Sequence, residues 1–203
     1  MNLGIVIPIY KPDNHRIENL RFILRHFASL NTQNVYVVEQ HSGCEQVREV
    51  LQMFRTIKYL NFNIAGNVFN KSILVNSAIN QIKHSHIWIY DADVYLDVEF
   101  ILKHIPEDVD VLRPFEKIIM LNESETDKLK RTNLIYLENR EHEGYNRYGK
   151  LSILVKRCIF EKVGGYDETF EGWGFQDLDL NNRLPRGCYK GYTTNVGFHM
   201  WHP

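Results

Sequence analysis

The chain has 203 residues, 24 Lys and Arg against 25 Asp and Glu, a formal charge of -1 and 44% hydrophobic residues, a composition that describes one soluble globular core. The even charge balance excludes the polybasic footprint of a nucleic-acid binder, and no segment approaches the roughly 20 consecutive apolar residues that span a bilayer. Three cysteines, Cys44, Cys158 and Cys188, with no close Cys-x-x-Cys pair, argue against a disulfide framework and a thiolate zinc site, so a reducing, cytoplasmic compartment is expected. Met1 to Pro8 has no basic leader and reads as a first strand, not an export signal.

Leu3 to Ile9 forms that strand and leads into the loop Tyr10-Lys11-Pro12-Asp13-Asn14. Ile17, Leu20, Ile23, Leu24 and Phe27 recur at helical spacing. Asn34 to Gln40 is a second strand, Val47 to Phe54 a second helix, and Ile57 to Phe62 a third strand. Asn70-Lys71-Ser72 opens a helix carrying Ile73, Leu74, Val75, Ala78, Ile79 and Ile82. This alternation predicts an α/β domain with an open sheet, and in such sheets ligands lie beyond the carboxyl ends of the strands. The loops after Ile9, Glu39 and Tyr90 therefore gather on one edge, the first two facing a nucleotide and the third its phosphates.

The third loop is the most telling. Ile87 to Tyr90 is a buried parallel strand that stops on Asp91-Ala92-Asp93. In an extended chain residues two apart point to one side, so both carboxylates are expected to face one cation, with hard oxygen ligands suited to Mg²⁺ or Mn²⁺. A plain strand-end turn, where Asp is common, is the competing reading. Further on, Asp97 to His104 reads as a short helix and Asp110 to Leu121 as one strand through Arg113-Pro114-Phe115. Asn122 to Lys150 reads as a polar connection, either an acceptor-side loop or a solvated link. Leu151 to Val155 returns to strand, and Cys158 to Val163 to helix.

The second chemical cluster is Gly164-Gly165-Tyr166-Asp167 followed by Gly172-Trp173-Gly174-Phe175-Gln176-Asp177. Glycines on both sides of Trp173 suggest a sharp turn, and Gln176 to Leu184 then reads as a helix with acid in its first turn. The ordered set Ile5-Val-Ile-Pro-Ile-Tyr10, Asn70-Lys71 with Asn76, Asp91-Ala92-Asp93, Gly164-Gly-Tyr-Asp and Gly172-Trp-Gly-Phe-Gln-Asp177 resembles the GT-A glycosyltransferases. It is most similar to family 2 and to the galactosyl- and N-acetylgalactosaminyltransferases, whose motif runs Gly-Trp-Gly-Gly-Glu-Asp.

That resemblance implies a single GT-A domain over residues 1–203, a Rossmann-like, twisted mixed sheet flanked by helices. The implied reaction is inverting, metal-dependent transfer from a nucleotide-diphosphate sugar, UDP-linked by expectation, to a carbohydrate hydroxyl. Pro8, Tyr10, Glu39, Lys71, Asn76, Asp91 and Ala92 would line the donor site, with Asp91 on the ribose or the metal. Asp93 would bind Mn²⁺ or Mg²⁺, with His199 as the first choice of histidine ligand and His202 the second. Asp177 matches the catalytic base. Gln176 stands where relatives carry Glu, and it cannot act as acid or base; with Trp173 it would meet the sugar or acceptor, although Trp173 buried beneath its loop fits equally well. A sugar-1-phosphate nucleotidyltransferase is disfavoured because its Gly-rich, Arg-containing loop is replaced by Tyr-Lys-Pro-Asp. A silent nucleotide- or glycan-binding module is the rival of another class.

Overall fold

The computed structural model describes residues 1–40, 44–133, 144–146, 152–172, 174–186, 190–192 and 195–203, with the backbone alone at 144–146, 190 and 192. The first half alternates β1 (Leu3–Ile9), α1 (Asn14–Ser29), β2 (Val35–Gln40), α2 (Glu45–Gln52), β3 (Lys58–Phe62), α3 (Lys71–Gln81) and β4 (His86–Ile89). These four strands are mutually parallel in the order β4-β1-β2-β3. β2 and β4 are buried throughout and β1 nearly so, as unbroken apolar runs covered on both faces must be.

Alternate residues feed two cores. Ile5, Ile7, Val35, Val37, Trp88 and Tyr90 pack with the α1 stripe of Ile17, Leu20, Ile23, Leu24 and Phe27. Val6, Tyr36, Val38, Ile87 and Ile89 face Leu74, Val75, Ala78 and Ile79 of α3 on the other side. Asp13 caps α1 through the amide of Arg16, and Asn70 caps α3 through that of Ile73, each at 2.9 Å.

After β5 (Val94–Tyr95) and α4 (Val98–His104), the chain makes β6 (Val111–Arg113), β7 (Lys117–Met120), α5 (Glu123–Thr132), β8 (Gly144–Asn146), β9 (Ile153–Lys156), α6 (Arg157–Lys162), α7 (Gln176–Arg183), β10 (Lys190–Tyr192) and β11 (Val196–His199). The main sheet reads β10-β6-β9-β4-β1-β2-β3, and β9 runs antiparallel to both neighbours. A second, smaller sheet, β5-β11-β7-β8, packs beside it.

Two expectations are corrected. The single strand over Asp110 to Leu121 is two strands in different sheets, because Pro114 offers no amide to a ladder and the chain turns there. The polar stretch from Asn122 begins as helix α5, opened by a reciprocal capping box between Asn122 and Glu125. Residues 134–143 and 147–150 of that stretch, and Leu151 of the strand expected after it, lie outside the described residues. Among the described residues no helix is long and apolar enough to cross a membrane.

Phe27 is fully buried and meets Tyr90 edge-on at 5.1 Å between ring centroids and Trp88 at 6.4 Å. Phe27→Ala is expected to cost about 3–5 kcal/mol in urea unfolding, and a loss below about 1 kcal/mol would contradict this packing.

Candidate active site

A cleft opens at the carboxyl ends of β1 and β4, and its walls include the expected residues Pro8, Tyr10, Lys71, Ala92 and the acids Asp91 and Asp93, with His199. Ile9, Arg16 and Phe69 complete it, none of them singled out by motif. Phe69 stacks on Tyr10 with centroids 5.7 Å apart and planes within 5°. The Tyr10 hydroxyl donates to the Asn67 carbonyl at 2.5 Å, which fixes that ring at the rim.

The two central carboxylates have different protein partners. Residues 91–93 are a turn, closed by the Val94 amide on the Asp91 carbonyl at 3.2 Å, so the extended-chain argument does not apply. Asp91 Oδ1 accepts from Lys71 Nζ at 2.9 Å. Asp93 turns instead to two histidines, with His202 Nε2 at 3.2 Å and His199 Nε2 at 3.7 Å. Among the described residues these three offer ligand atoms within 4.8 Å of one another, and both C-terminal histidines take part.

Local structure explains the convergence. His199 pairs with Val94 and Phe198 with Tyr95 across the β5–β11 ladder, and the Met200 amide donates to the Asp93 carbonyl at 2.7 Å. Trp201 is then held by its amide on Thr126 Oγ1 at 2.8 Å and by its carbonyl, which accepts from Asn19 at 3.2 Å. One carboxylate oxygen and two imidazoles form a hard-to-borderline donor set that fits Mn²⁺ better than Ca²⁺. Asp91 Oδ2 is also buried and accepts no hydrogen bond from any of the described residues.

The third acid arrives from far along the chain. Asp177, in the first turn of α7, accepts from Lys71 Nζ at 3.1 and 3.2 Å, and its Oδ1 also accepts from the buried Tyr166 hydroxyl at 2.5 Å. Lys71 thus bridges Asp91 and Asp177. Asn76 Nδ2 donates to the Tyr166 carbonyl and to Glu168, both at 2.9 Å, while its Oδ1 accepts the Tyr166 amide at 3.0 Å. The Gly172 amide donates to the Phe69 carbonyl at 2.8 Å. A β-carbon on Gly165 would lie 2.6 Å from Asn76 Oδ1, and its φ of +70° favours glycine as well.

With this geometry in hand, known proteins are informative. Residues 137–197 match the family model described as the N-terminal domain of galactosyltransferase. No curated protein sequence matches. Among solved structures, Drosophila β1,4-galactosyltransferase 7, as a D211N mutant complexed with manganese, UDP-Gal and xylobiose, is 14% identical with a TM-score of 0.56, over 93% of this chain and 64% of that one. GalNAc-T7 with UDP, GalNAc and Mn²⁺ gives 10% identity and a TM-score of 0.66, over 100% and 44%. S. aureus TarS 1-349 in complex with UDP-GlcNAc gives 13% and 0.63, over 100% and 59%. The chain has the GT-A glycosyltransferase fold.

It spans between 44% and 64% of the lengths of these three structures. Within this GT-A domain three expected donor or acceptor residues do other work. Glu39 is buried at the end of β2, accepts from the Tyr59 hydroxyl and does not line the cleft; burial raises its pKa and pushes that of Tyr59 up to about 12. Asn76 is consumed in clamping the 166–168 segment. Gln176 is buried, donates to the Gly172 carbonyl at 2.8 Å and so closes its own turn. Trp173 lies outside the described residues. Gln40, which no motif flagged, positions the cleft wall: it accepts the Asn70 amide at 2.7 Å and donates to the Val68 carbonyl at 2.8 Å.

Electrostatics divides the acids. Burial raises the Asp91 pKa, opposed by the Lys71 ammonium and reinforced by Asp177 and Asp93. Burial by itself would lower the pKa of Lys71, but the Asp177 and Asp91 carboxylates reverse that and hold it above its ordinary value, so the bridge is cationic. Burial works against ionised Asp93, yet the hydrogen bond from His202 and the charges of His199, His202 and Arg16 keep its pKa below the ordinary range. His202 is raised above 6.5 chiefly by its hydrogen bond to Asp93.

A metal at this triad competes with the His202 proton. Mn²⁺ affinity is therefore expected to fall as pH drops, starting above the ordinary histidine value of 6.5, because a raised pKa keeps the ring protonated to higher pH. Titrations followed by Mn²⁺ paramagnetic resonance between about pH 8 and about pH 5.5 test this, and a flat profile would exclude His202 as a ligand. Asp93→Ala is expected to abolish the high-affinity Mn²⁺ signal at every pH.

Proposed function

We propose that this protein is an inverting, metal-dependent glycosyltransferase that moves a sugar from a nucleotide diphosphate, UDP as first choice, to a carbohydrate hydroxyl. The observation that carries the reading is the Lys71 bridge between Asp91 and Asp177, with Lys71 and Asp91 lining the same cleft as Asp93 and His199 of the Asp93, His199 and His202 triad. The complexes of GalNAc-T7 with UDP and Mn²⁺, and of Drosophila β1,4-galactosyltransferase 7 with manganese, UDP-Gal and xylobiose, support the donor, metal and acceptor classes. The domain is taken to cover residues 1–203.

Asp93, His199 and His202 would hold the divalent ion, Mn²⁺ or Mg²⁺, which would supply charge stabilisation to the departing diphosphate. Lys71 adds a buried ammonium on the same side. As the diphosphate enters, its negative charge draws Lys71 from Asp177, and Oδ2 becomes available while Tyr166 keeps Oδ1 in place. Asp177 then takes the acceptor hydroxyl proton as that oxygen bonds to the anomeric carbon and the carbon–phosphate-oxygen bond breaks, its electron pair leaving with the nucleoside diphosphate. Attack from the side opposite the leaving group inverts the anomeric centre. Tyr10 and Phe69 form an aromatic wall suited to the nucleoside.

Asp177→Asn removes the base and retains the shape. Transfer is expected to fall by about 10²–10⁴-fold with UDP and Mn²⁺ binding, read by titration calorimetry, changed little. Undiminished transfer would remove Asp177 from the chemistry. Tyr166→Phe is expected to lower kcat by about tenfold, the value of one hydrogen bond to a charged group, with UDP and Mn²⁺ binding changed little. An unchanged kcat would make Tyr166 a packing residue only.

A further inference from the structure

We infer that Arg16 is a phosphate-binding residue of the donor cleft, a guanidinium held on His202 that turns to the diphosphate of the nucleotide sugar. The inference rests on the transferase reading and names the side chain that recognises the donor's phosphates. Arg16 lies in the first turn of α1, where its amide donates to Asp13 Oδ1 at 2.9 Å and its Nε stands 3.8 Å from Asp13 Oδ2. The N-terminal end of a helix favours acids, so the dipole of α1 gains nothing from a cation there. The charge opens instead on the cleft: among the described residues that line it, Arg16 and Lys71 are the two with permanent positive charge.

Its contact with His202 cannot coexist with metal ligation by that ring. Arg16 Nη2 lies 3.3 Å from His202 Nδ1. A guanidinium only donates, so Nδ1 accepts and the proton of the neutral imidazole sits on Nε2, the nitrogen 3.2 Å from Asp93. A histidine that ligates through Nε2 needs its lone pair there and carries its proton on Nδ1, which it gives to a carbonyl or carboxylate. The Pro203 carbonyl oxygen is in place for it, 3.2 Å from Nδ1. Ligation therefore exchanges Arg16 for Pro203, and the guanidinium, already on the cleft wall, loses that acceptor.

The anion follows from the surroundings. A cation beside a divalent ion is unfavourable unless an anion lies with them. The same cleft is lined by the stacked Tyr10 and Phe69 and by Asp93 and His199, and the group that joins a nucleoside to a divalent ion is phosphate. Arginine's planar fork matches phosphate oxygens two at a time, whereas Lys71 is a point charge committed to Asp91 and Asp177. The Arg16 side chain is 25% exposed, which leaves it open to a ligand in the cleft. The competing role, a counter-charge for Asp93 alone, needs no opening to the cleft and makes metal binding depend on Arg16 as much as nucleotide binding does.

The test separates the two ligands. Mn²⁺ alone is titrated by paramagnetic resonance, and UDP by calorimetry at saturating Mn²⁺, on the parent, Arg16→Met and Arg16→Lys. In Arg16→Met, UDP is expected to bind about tenfold to a hundredfold more weakly, the range for hydrogen bonds to a charged group. Mn²⁺ affinity is expected not to fall, because a competing cation is gone, and the retained Mn²⁺ site shows that the variant is folded. Arg16→Lys is expected to recover part of the UDP loss, as a point charge replaces a fork. UDP affinity unchanged within about twofold in Arg16→Met, an equal loss of Mn²⁺ and UDP binding, or a parent that binds no UDP would overturn the assignment. A protein that binds UDP through Arg16 yet turns over no nucleotide sugar would sink the transferase reading alone.

Discussion

The pairing of two residues of β5 with β11 is the constraint on which the site depends. Val94 and Tyr95 follow directly on Asp93, and their ladder with His199 and Phe198 ties the middle of the chain to its last residues. Without it, a carboxylate at the tip of a parallel strand has no imidazole partner. The Met200 amide on the Asp93 carbonyl continues the register past the strand, and Trp201 is anchored on both α1 and α5, so His202 comes to Asp93 on a braced segment. α5 thereby gains a role its polar sequence concealed, since Thr126 is one of those anchors.

Lys71 carries the second long-range link. Three carboxylates, Asp91, Asp93 and Asp177, converge at one sheet edge, and burying them together is unfavourable unless cations offset the charge. Lys71 serves two, and the histidine pair with Arg16 serves the third. The first turn of α3 therefore does more than cap a helix. Asn70 and Asn76 on the same helix bind the segment that delivers Asp177, so the donor wall and the proposed base are registered against one rigid element.

The parallel half of the fold was legible because each strand is an unbroken apolar run and each helix carries its stripe at regular spacing; β1 matches its expected bounds and Asn70 and Asp97 are the caps their positions suggest. The second half was harder. β5 is two residues long and has no periodicity to read, and a single apolar run hid the sheet change at Pro114. The Asn-x-x-Glu signal at Asn122 was present and overlooked amid the surrounding charge. At the site, residue type and spacing picked out Asp91 and Asp93, and the resemblance added Lys71, His199 and Asp177, but spacing misjudged which atoms meet: a turn sends Asp91 to lysine and Asp93 to histidine. Gln40 and Arg16 act through packing geometry that short motifs do not encode.

The division of labour around α3 also explains why the departures from the resembled motif fall where they do. Gln176 replaces an acid, yet its amide closes the Gly172 turn, which keeps that loop's path while removing a charge from beside Asp177. Phe175 stands at a left-handed backbone position where the resembled motif has glycine, and the clamp of Asn76, Gly165 and Tyr166 is intact beside it. Residues that fix the base are buried and mutually bonded, so altering one disturbs several.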